Sequence, residues 1–177
     1  MDFPKLYKVK QHFDTTVLAA IPNRIIQELD PVPAPQQIKG KKVGITAGSR
    51  GIKKVDIMYK TVIEYIRRCG GEPYLIAAMG SHGGGTVEGQ LAILKGLNVT
   101  EETMGCPILA SIHADRIGQT PEGIPAFCNE RVKEVDKIIL LNRIKEHTDF
   151  TAIIESGLHK MMTIGLGTLE GADNAHI

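Results

Sequence analysis

The chain has 177 residues, of which 42% are hydrophobic and 23% are charged, an ordinary composition for one globular core. Its 21 basic residues nearly balance its 20 acidic ones, and it has no tryptophan and few aromatic residues to stack on bases, which argues against nucleic-acid binding. No run approaches the roughly 18 apolar residues of a membrane span, and the start of the chain lacks the apolar core of a signal peptide. We therefore expect a cytoplasmic protein without a membrane partner.

The first 40 residues predict an irregular lead-in that leaves room for an early strand or helix. Within it, the proline-rich residues 30–35 indicate a stiff linker. The apolar run at 42–46 predicts a short strand. The loop at 47–52 then leads into an amphipathic pattern over 53–69, which predicts a helix that ends at glycine. The apolar face of this helix consists of Val55, Met58, Val62, Ile63 and Ile66.

A second unit repeats this strand–loop–helix order. Residues 73–79 form a continuous apolar run of strand length, and residues 80–86 form a glycine-rich loop. The helix that follows carries Val87, Leu91, Leu94 and Leu97. Further along, the sequence predicts a strand at 107–111, a hairpin from 117–120 and 124–127, a short helix at 130–135 and a strand at 137–141.

Strands that alternate with helices predict one α/β domain with a mainly parallel sheet and helices on both faces, a three-layer, Rossmann-like fold. In such sheets, ligands bind where loops leave the carboxyl ends of the strands. The loops at 47–52, 80–86 and 142–150 each follow a predicted strand. Together they are expected to bring Arg50, His82, Lys145 and His147 to one rim.

The glycine-rich loop predicts a phosphate cradle, because glycines let the backbone approach a ligand and the following helix start offers N–H groups to an anion. It lacks the ending of a Walker loop and the spacing of a dinucleotide fingerprint. A plain glycine turn is the alternative, but a tight turn does not require His82. The predicted binding residues of this loop are Gly80, Ser81, Gly83, Gly84 and Thr86.

A second glycine-rich stretch, residues 165–171, follows a helical pattern instead of a clear strand. A dinucleotide-binding turn would need a preceding strand. Close packing of a helix or loop is therefore the better interpretation of these glycines.

Several motifs resemble the lactate racemase family, and the resemblance covers nearly the whole chain. They are Gly-Ser-His at 80–82, Glu-His-Thr-Asp-Phe at 146–150, and a lysine and a histidine further on. Family members interconvert enantiomers of a 2-hydroxy acid by moving a hydride to a nickel-pincer nucleotide and back. The resemblance implies that His82 and His147 are the two acid–base groups, that Lys160 attaches the cofactor and that His176 binds nickel. Arg50 matches a family arginine near the substrate and is placed among the cofactor-binding residues.

The sequence also departs from the family pattern. Ala47 stands where an acidic residue is expected three positions before Arg50, and the interval from His147 to Lys160 is a few residues longer. We therefore expect a relative that acts on another 2-hydroxy acid. Family members are also much longer and have a second domain, so the resemblance implies an N-terminal domain that cannot complete an active site alone.

One interpretation from a different class remains open. The glycine loop, Arg50 and Lys145 would also suit a non-enzymatic domain that binds a nucleotide or phosphate. In that case His147 would brace a loop and Lys160 would be a solvated lysine. His159, directly before Lys160, matches no family position that we can assign. An iron–sulfur protein is disfavoured, since three dispersed cysteines are too few for ordinary four-thiolate ligation.

Overall fold

The computed structural model describes residues 5–13, 17–32, 34–146 and 151–175. Its strands are β1 (Lys42–Ala47), β2 (Glu72–Ala77), β3 (Ile108–Leu109), β4 (Ala114–Gln119), β5 (Pro125–Asn129) and β6 (Lys137–Ile139). Its helices are α1 (Ile21–Leu29), α2 (Ala34–Ile38), α3 (Val55–Arg68), α4 (Val87–Gly96), α5 (Glu101–Met104), α6 (Leu158–Lys160) and α7 (Thr168–Ala175), with a 3₁₀ turn at Glu130–Glu134 and a π-helical turn at Met161–Gly165. Within these described ranges, every helix is too short or too polar to cross a membrane.

The centre of the fold is a sheet of four strands in the order β3-β2-β1-β6. Each neighbouring pair is parallel, and β1 runs alongside β2 from Lys42 opposite Glu72 to Ala47 opposite Ala77. Parallel neighbours need crossover connections, and here α3 and α4 follow β1 and β2 as the sequence predicts. The predicted α/β fold with a mainly parallel sheet is confirmed.

One face of the sheet is covered by α1, α3, α4 and α5. Alternate residues of β1 and β2, such as Ile45 and Leu75, point to this face and are fully buried. From α3, Tyr59, Ile63 and Ile66 pack against them. This cluster is the main hydrophobic core, and removal of its apolar surface from water is the dominant force that stabilises the folded chain.

The opposite face of the sheet is covered by the chain's last third. Ile76 and Ala78, which alternate with the residues of the first face, pack with Met161 and Leu166. Val132 and Val135 of the 3₁₀ region contribute further apolar surface there. The sheet is therefore the middle layer, and the segment around residue 160 lies against it.

The predicted hairpin is present, whereas the lead-in differs from its prediction. β4 and β5 pair antiparallel, and Thr120 N–H donates to Ile124 O at 2.9 Å to close the predicted turn. The lead-in is more regular than predicted: the early helix for which the prediction left room is α1, which packs on the core through Ile25, Ile26 and Leu29, and the short α2 follows it. Of the expected proline-rich linker, residues 30–32 form a turn after α1 and residues 34–35 begin α2, whereas Pro33 lies outside the described residues.

Candidate active site at the carboxyl edge of the sheet

The strand order reverses at β1, because the chain passes outward to β2 and β3 and then returns to β6 on the other side. A crevice for ligands forms at such a reversal, outside the carboxyl ends of the strands. Here Thr46, near the end of β1, accepts a hydrogen bond at its Oγ1 from Leu141 N at 2.9 Å. This bond ties the chain after β6 to the end of β1. The loops after β1, β2 and β6 therefore leave the same edge of the sheet.

His82 lies in the loop after β2 and contacts the loop after β1. Its backbone N–H donates to Met79 O at 3.2 Å, which forms a tight turn at the end of the strand. Its ring nitrogen Nδ1 is hydrogen-bonded to Ser49 Oγ. Ser49 is not among the site residues predicted from the sequence, although this hydroxyl residue lies in a loop assigned to the rim. The two loops are thus joined through a predicted site residue.

Arg50 and Lys160 lie close enough to His82 to act on its charge. His82 keeps a solvent-exposed face, and its partial burial is the main cause that lowers its pKa below the ordinary histidine value. The positive charges of Arg50 and then Lys160 lower that pKa further. The neutral ring, which is the form that accepts a proton, is therefore favoured near neutral pH.

We expect Arg50→Gln to raise the pKa of His82, because the substitution removes a positive charge that opposes the imidazolium. The pKa of His82 is lower in the folded chain than in the unfolded chain, so the unfolded chain binds the proton more readily. This histidine therefore lowers the free energy of unfolding as the pH falls through the unfolded-state pKa and then through the folded-state pKa. Titration of the His82 ring signals by NMR measures the folded-state pKa, and urea unfolding at several pH values measures the cost in stability. Lys145→Gln is the matched control and should leave the titration unchanged; an unshifted His82 in Arg50→Gln would contradict the electrostatic coupling.

Lys160 reaches the rim through the π-helical turn that follows it. Turns of this kind occur often at functional sites. Met161 is buried against the sheet, and a Cβ placed on Gly48, at the end of β1, would lie 3.2 Å from Met161 Cε. A Cβ on Gly165 would lie 3.0 Å from Ala78 O at the end of β2. The turn therefore packs on the ends of two strands, and the half-buried Lys160 before it lies near enough to His82 for its charge to act on that ring.

The glycines of the loop at 80–86 divide into two groups. Gly80 and Gly83 have φ of +60° and +75° and lie in close contact with neighbouring backbone: a Cβ would lie 3.2 Å from Ile164 O and 2.6 Å from Gln90 N, respectively. Gly84 and Gly85 also have positive φ, but a Cβ there would meet nothing within 4 Å. The first pair is required by packing. The second pair leaves open space in front of the backbone, where an anionic ligand has room to approach.

Thr86 and Ser81 have different positions in this loop. Thr86 is the N-cap of α4: its Oγ1 accepts from Gly89 N at 3.0 Å and donates to Gly83 O at 3.2 Å. Ser81 is exposed. Thr86 is exposed as well, but its two hydrogen bonds hold the loop against the helix.

We expect Gly89→Ala to destabilise the fold by about 2 kcal/mol, because the new Cβ would lie 1.8 Å from Gly83 O and would force the loop away from α4. Gly96→Ala, at the other end of the same helix, meets nothing within 4 Å and should instead raise stability by about 0.5–1 kcal/mol. Urea unfolding of both variants measures the contrast. Equal changes in the free energy of unfolding for the two variants would show that the loop at 80–86 does not pack against α4 at Gly89.

The chain after β6 runs beside the segment that precedes Lys160. The Asn142 side chain donates to Gly157 O at 2.7 Å, and Lys145 N–H donates to Ser156 Oγ at 3.0 Å. A cleft of about 450 Å³ lies between residues 144–146 and 152–156. Lys145 is exposed, and its Nζ donates to the backbone oxygen of Glu146 at 3.2 Å.

Two predicted site residues, His147 and His176, lie outside the described residues. Among the residues that the structure does describe, no group of three or more His, Cys, Asp or Glu side chains is placed to hold a metal ion. His82, Arg50 and Lys160 are thus the predicted chemical groups that the described part of the chain brings together.

The glycines at 165–171 serve packing, as predicted. A Cβ on Gly167 would lie 2.1 Å from Thr163 O, and a Cβ on Gly171 would lie 2.6 Å from the same oxygen. These glycines let α7 fold closely against the π-helical turn. They therefore support the position of Lys160 indirectly.

The fold is a Rossmann-like α/β domain, and at the carboxyl edge of its sheet the charges of a guanidinium and an amine act on an imidazole. A family model of the lactate racemase N-terminal domain matches residues 37–177, which is most of the chain. The chain belongs to the lactate racemase N-terminal domain family, and the resemblance drawn from its motifs is confirmed. No curated protein matches it in sequence.

Proposed function

We propose that this chain is the N-terminal domain of an enzyme that racemises or epimerises a 2-hydroxy acid. The observation that carries the proposal is that Lys160 lies near enough to His82 for its charge to act on that ring, at the edge of the sheet where α/β domains bind ligands. The π-helical turn and the close glycine contacts beneath it hold Lys160 in that position.

The reaction moves a proton and a hydride off the same carbinol group. In the proposed reaction a histidine would take the hydroxyl proton of the substrate and later return it, while the bound cofactor would supply the chemistry to accept the carbon-bound hydride and give it back to either face of the resulting 2-oxo acid. Each enantiomer needs a base on its own side, so two bases are required. The neutral ring of His82 suits one of these roles, and we assign the other to His147.

The described residues fit a lysine-linked nickel-pincer nucleotide. Lys160 presents an amine that would form the covalent link, and the space in front of Gly84 gives an anionic group access to the loop. Arg50 adds a fixed positive charge for a carboxylate or phosphate. We assign nickel binding to His176, since one imidazole suffices when the pincer supplies the other ligands. When bound, this cofactor supplies the acceptor for the substrate's hydride.

The test is racemisation of 2-hydroxy acids by the protein extended through the expected second domain and loaded with cofactor. With substrate deuterated at the carbon that bears the hydroxyl, hydride transfer should return the deuterium to the product of opposite configuration. Replacement of that deuterium by solvent hydrogen would instead indicate carbon-acid chemistry and would overturn the proposed mechanism. Phosphate or nucleotide binding without any turnover would favour the non-enzymatic alternative.

A further inference from the structure

The ring of His82 has two nitrogens, and the structure distinguishes them. Nδ1 is hydrogen-bonded to Ser49 Oγ across the gap between the loops after β1 and β2. That bond leaves Nε2 as the nitrogen available to a substrate. Ser49 is half-buried and directly follows Gly48, which packs against Met161, so its backbone is held at the end of β1.

We infer that Ser49 is a positioning residue for His82: its hydroxyl accepts Nδ1–H and so leaves the lone pair of neutral His82 on Nε2. This inference rests on the proposed function, in which His82 takes the hydroxyl proton of the substrate. A neutral imidazole carries one proton, and a serine hydroxyl can either donate to Nδ1 or accept from Nδ1–H. Only the second arrangement leaves Nε2 without a proton, as the role of His82 as a base requires. With the proton on Nδ1, Nε2 is ready to act as the base.

A hydroxyl partner also suits the electrostatics of this site. A carboxylate at Nδ1 would stabilise the imidazolium and would raise the pKa of His82. Burial, Arg50 and Lys160 all act in the opposite direction. Ser49 orients the ring without adding a negative charge. Moreover, Nδ1–H can donate to Oγ both before and after Nε2 takes a proton, so the ring need not turn during the reaction.

The tautomer can be measured directly on the chain of 177 residues, without cofactor or turnover. We expect the ¹⁵N signals of His82 above its pKa to show one tautomer, protonated at Nδ1, in the unaltered chain and in Ser49→Thr. In Ser49→Ala the same signals should move toward a mixture of both tautomers. A ring protonated at Nε2 in the unaltered chain, or an identical spectrum in Ser49→Ala, would overturn the inference.

In the loaded, longer enzyme, Ser49→Ala should lower kcat about 10-fold while KM changes little, since a misoriented base slows proton transfer more than binding. Ser49→Thr should restore most of the rate. A rise in KM at constant kcat would mean that Ser49 contacts the substrate instead, and would overturn the positioning role. If the enzyme shows no racemisation at all, the proposed function fails, whereas the tautomer measurement still decides the role of Ser49.

Discussion

Replacing His82 with alanine should lower kcat for racemisation about 10²–10⁴-fold, the range that a positioned acid–base group contributes. The loss is expected in both directions, because one enantiomer would have no base and the other no acid. Cofactor content should remain close to that of the unaltered enzyme, since attachment is assigned to Lys160. Steady-state rates from each enantiomer, with absorbance and nickel analysis of the same samples, measure both quantities.

The chain offers a matched control for this substitution. His113 is also exposed, and its backbone N–H and C=O are hydrogen-bonded to Ser111 and Glu130. It lies outside the three loops of the rim. His113→Ala should therefore retain nearly full activity. If His82→Ala kept the same rate as His113→Ala, His82 would not be an acid–base group.

Replacing Lys160 with alanine should abolish the covalent adduct and reduce turnover below detection, because the substrate's hydride would have no tethered acceptor. A second effect follows from the electrostatics of the site: the pKa of His82 should rise, since Lys160 is one of the charges that lower it. Intact-mass measurement reports the adduct, and NMR titration reports the pKa and the integrity of the fold.

Lys145 provides the control for Lys160. It lies in the loop after β6, and we expect Lys145→Ala to retain the adduct and to leave the titration of His82 unchanged. An adduct that persisted in Lys160→Ala, or that disappeared in Lys145→Ala, would assign the attachment to another residue. Either result would contradict the role given to Lys160.

The central elements could be predicted because their signals are local. β1 and β2 are largely apolar runs, and α3 repeats apolar residues with the helical period and ends at Arg68, two residues before Gly70. By contrast, α1 has only nine residues, and a short amphipathic segment after an irregular one gives a weak signal. β3 spans Ile108–Leu109, which is shorter than the strand predicted at 107–111. The length of a strand depends on its pairing with a neighbour, which the sequence does not reveal.

In the candidate site, too, some positions could be predicted from local signals and others depend on how distant segments meet. His82 and Arg50 could be found because each follows an apolar strand, and parallel strands end at a common edge. Ser49 could not, since its partner lies 33 positions away and the contact depends on how two loops meet. The approach of Lys160 depends on a π-helical turn, whose wider spacing the ordinary helical period does not predict.

The most direct measurement is the intact mass, nickel content and peptide map of the protein, extended through the expected second domain and co-expressed with the enzymes that make the pincer cofactor. We expect a cofactor-sized adduct that maps to Lys160, together with bound nickel. An unmodified, nickel-free chain, under conditions that load a lactate racemase, would contradict the proposal and would favour a domain that only binds an anionic ligand.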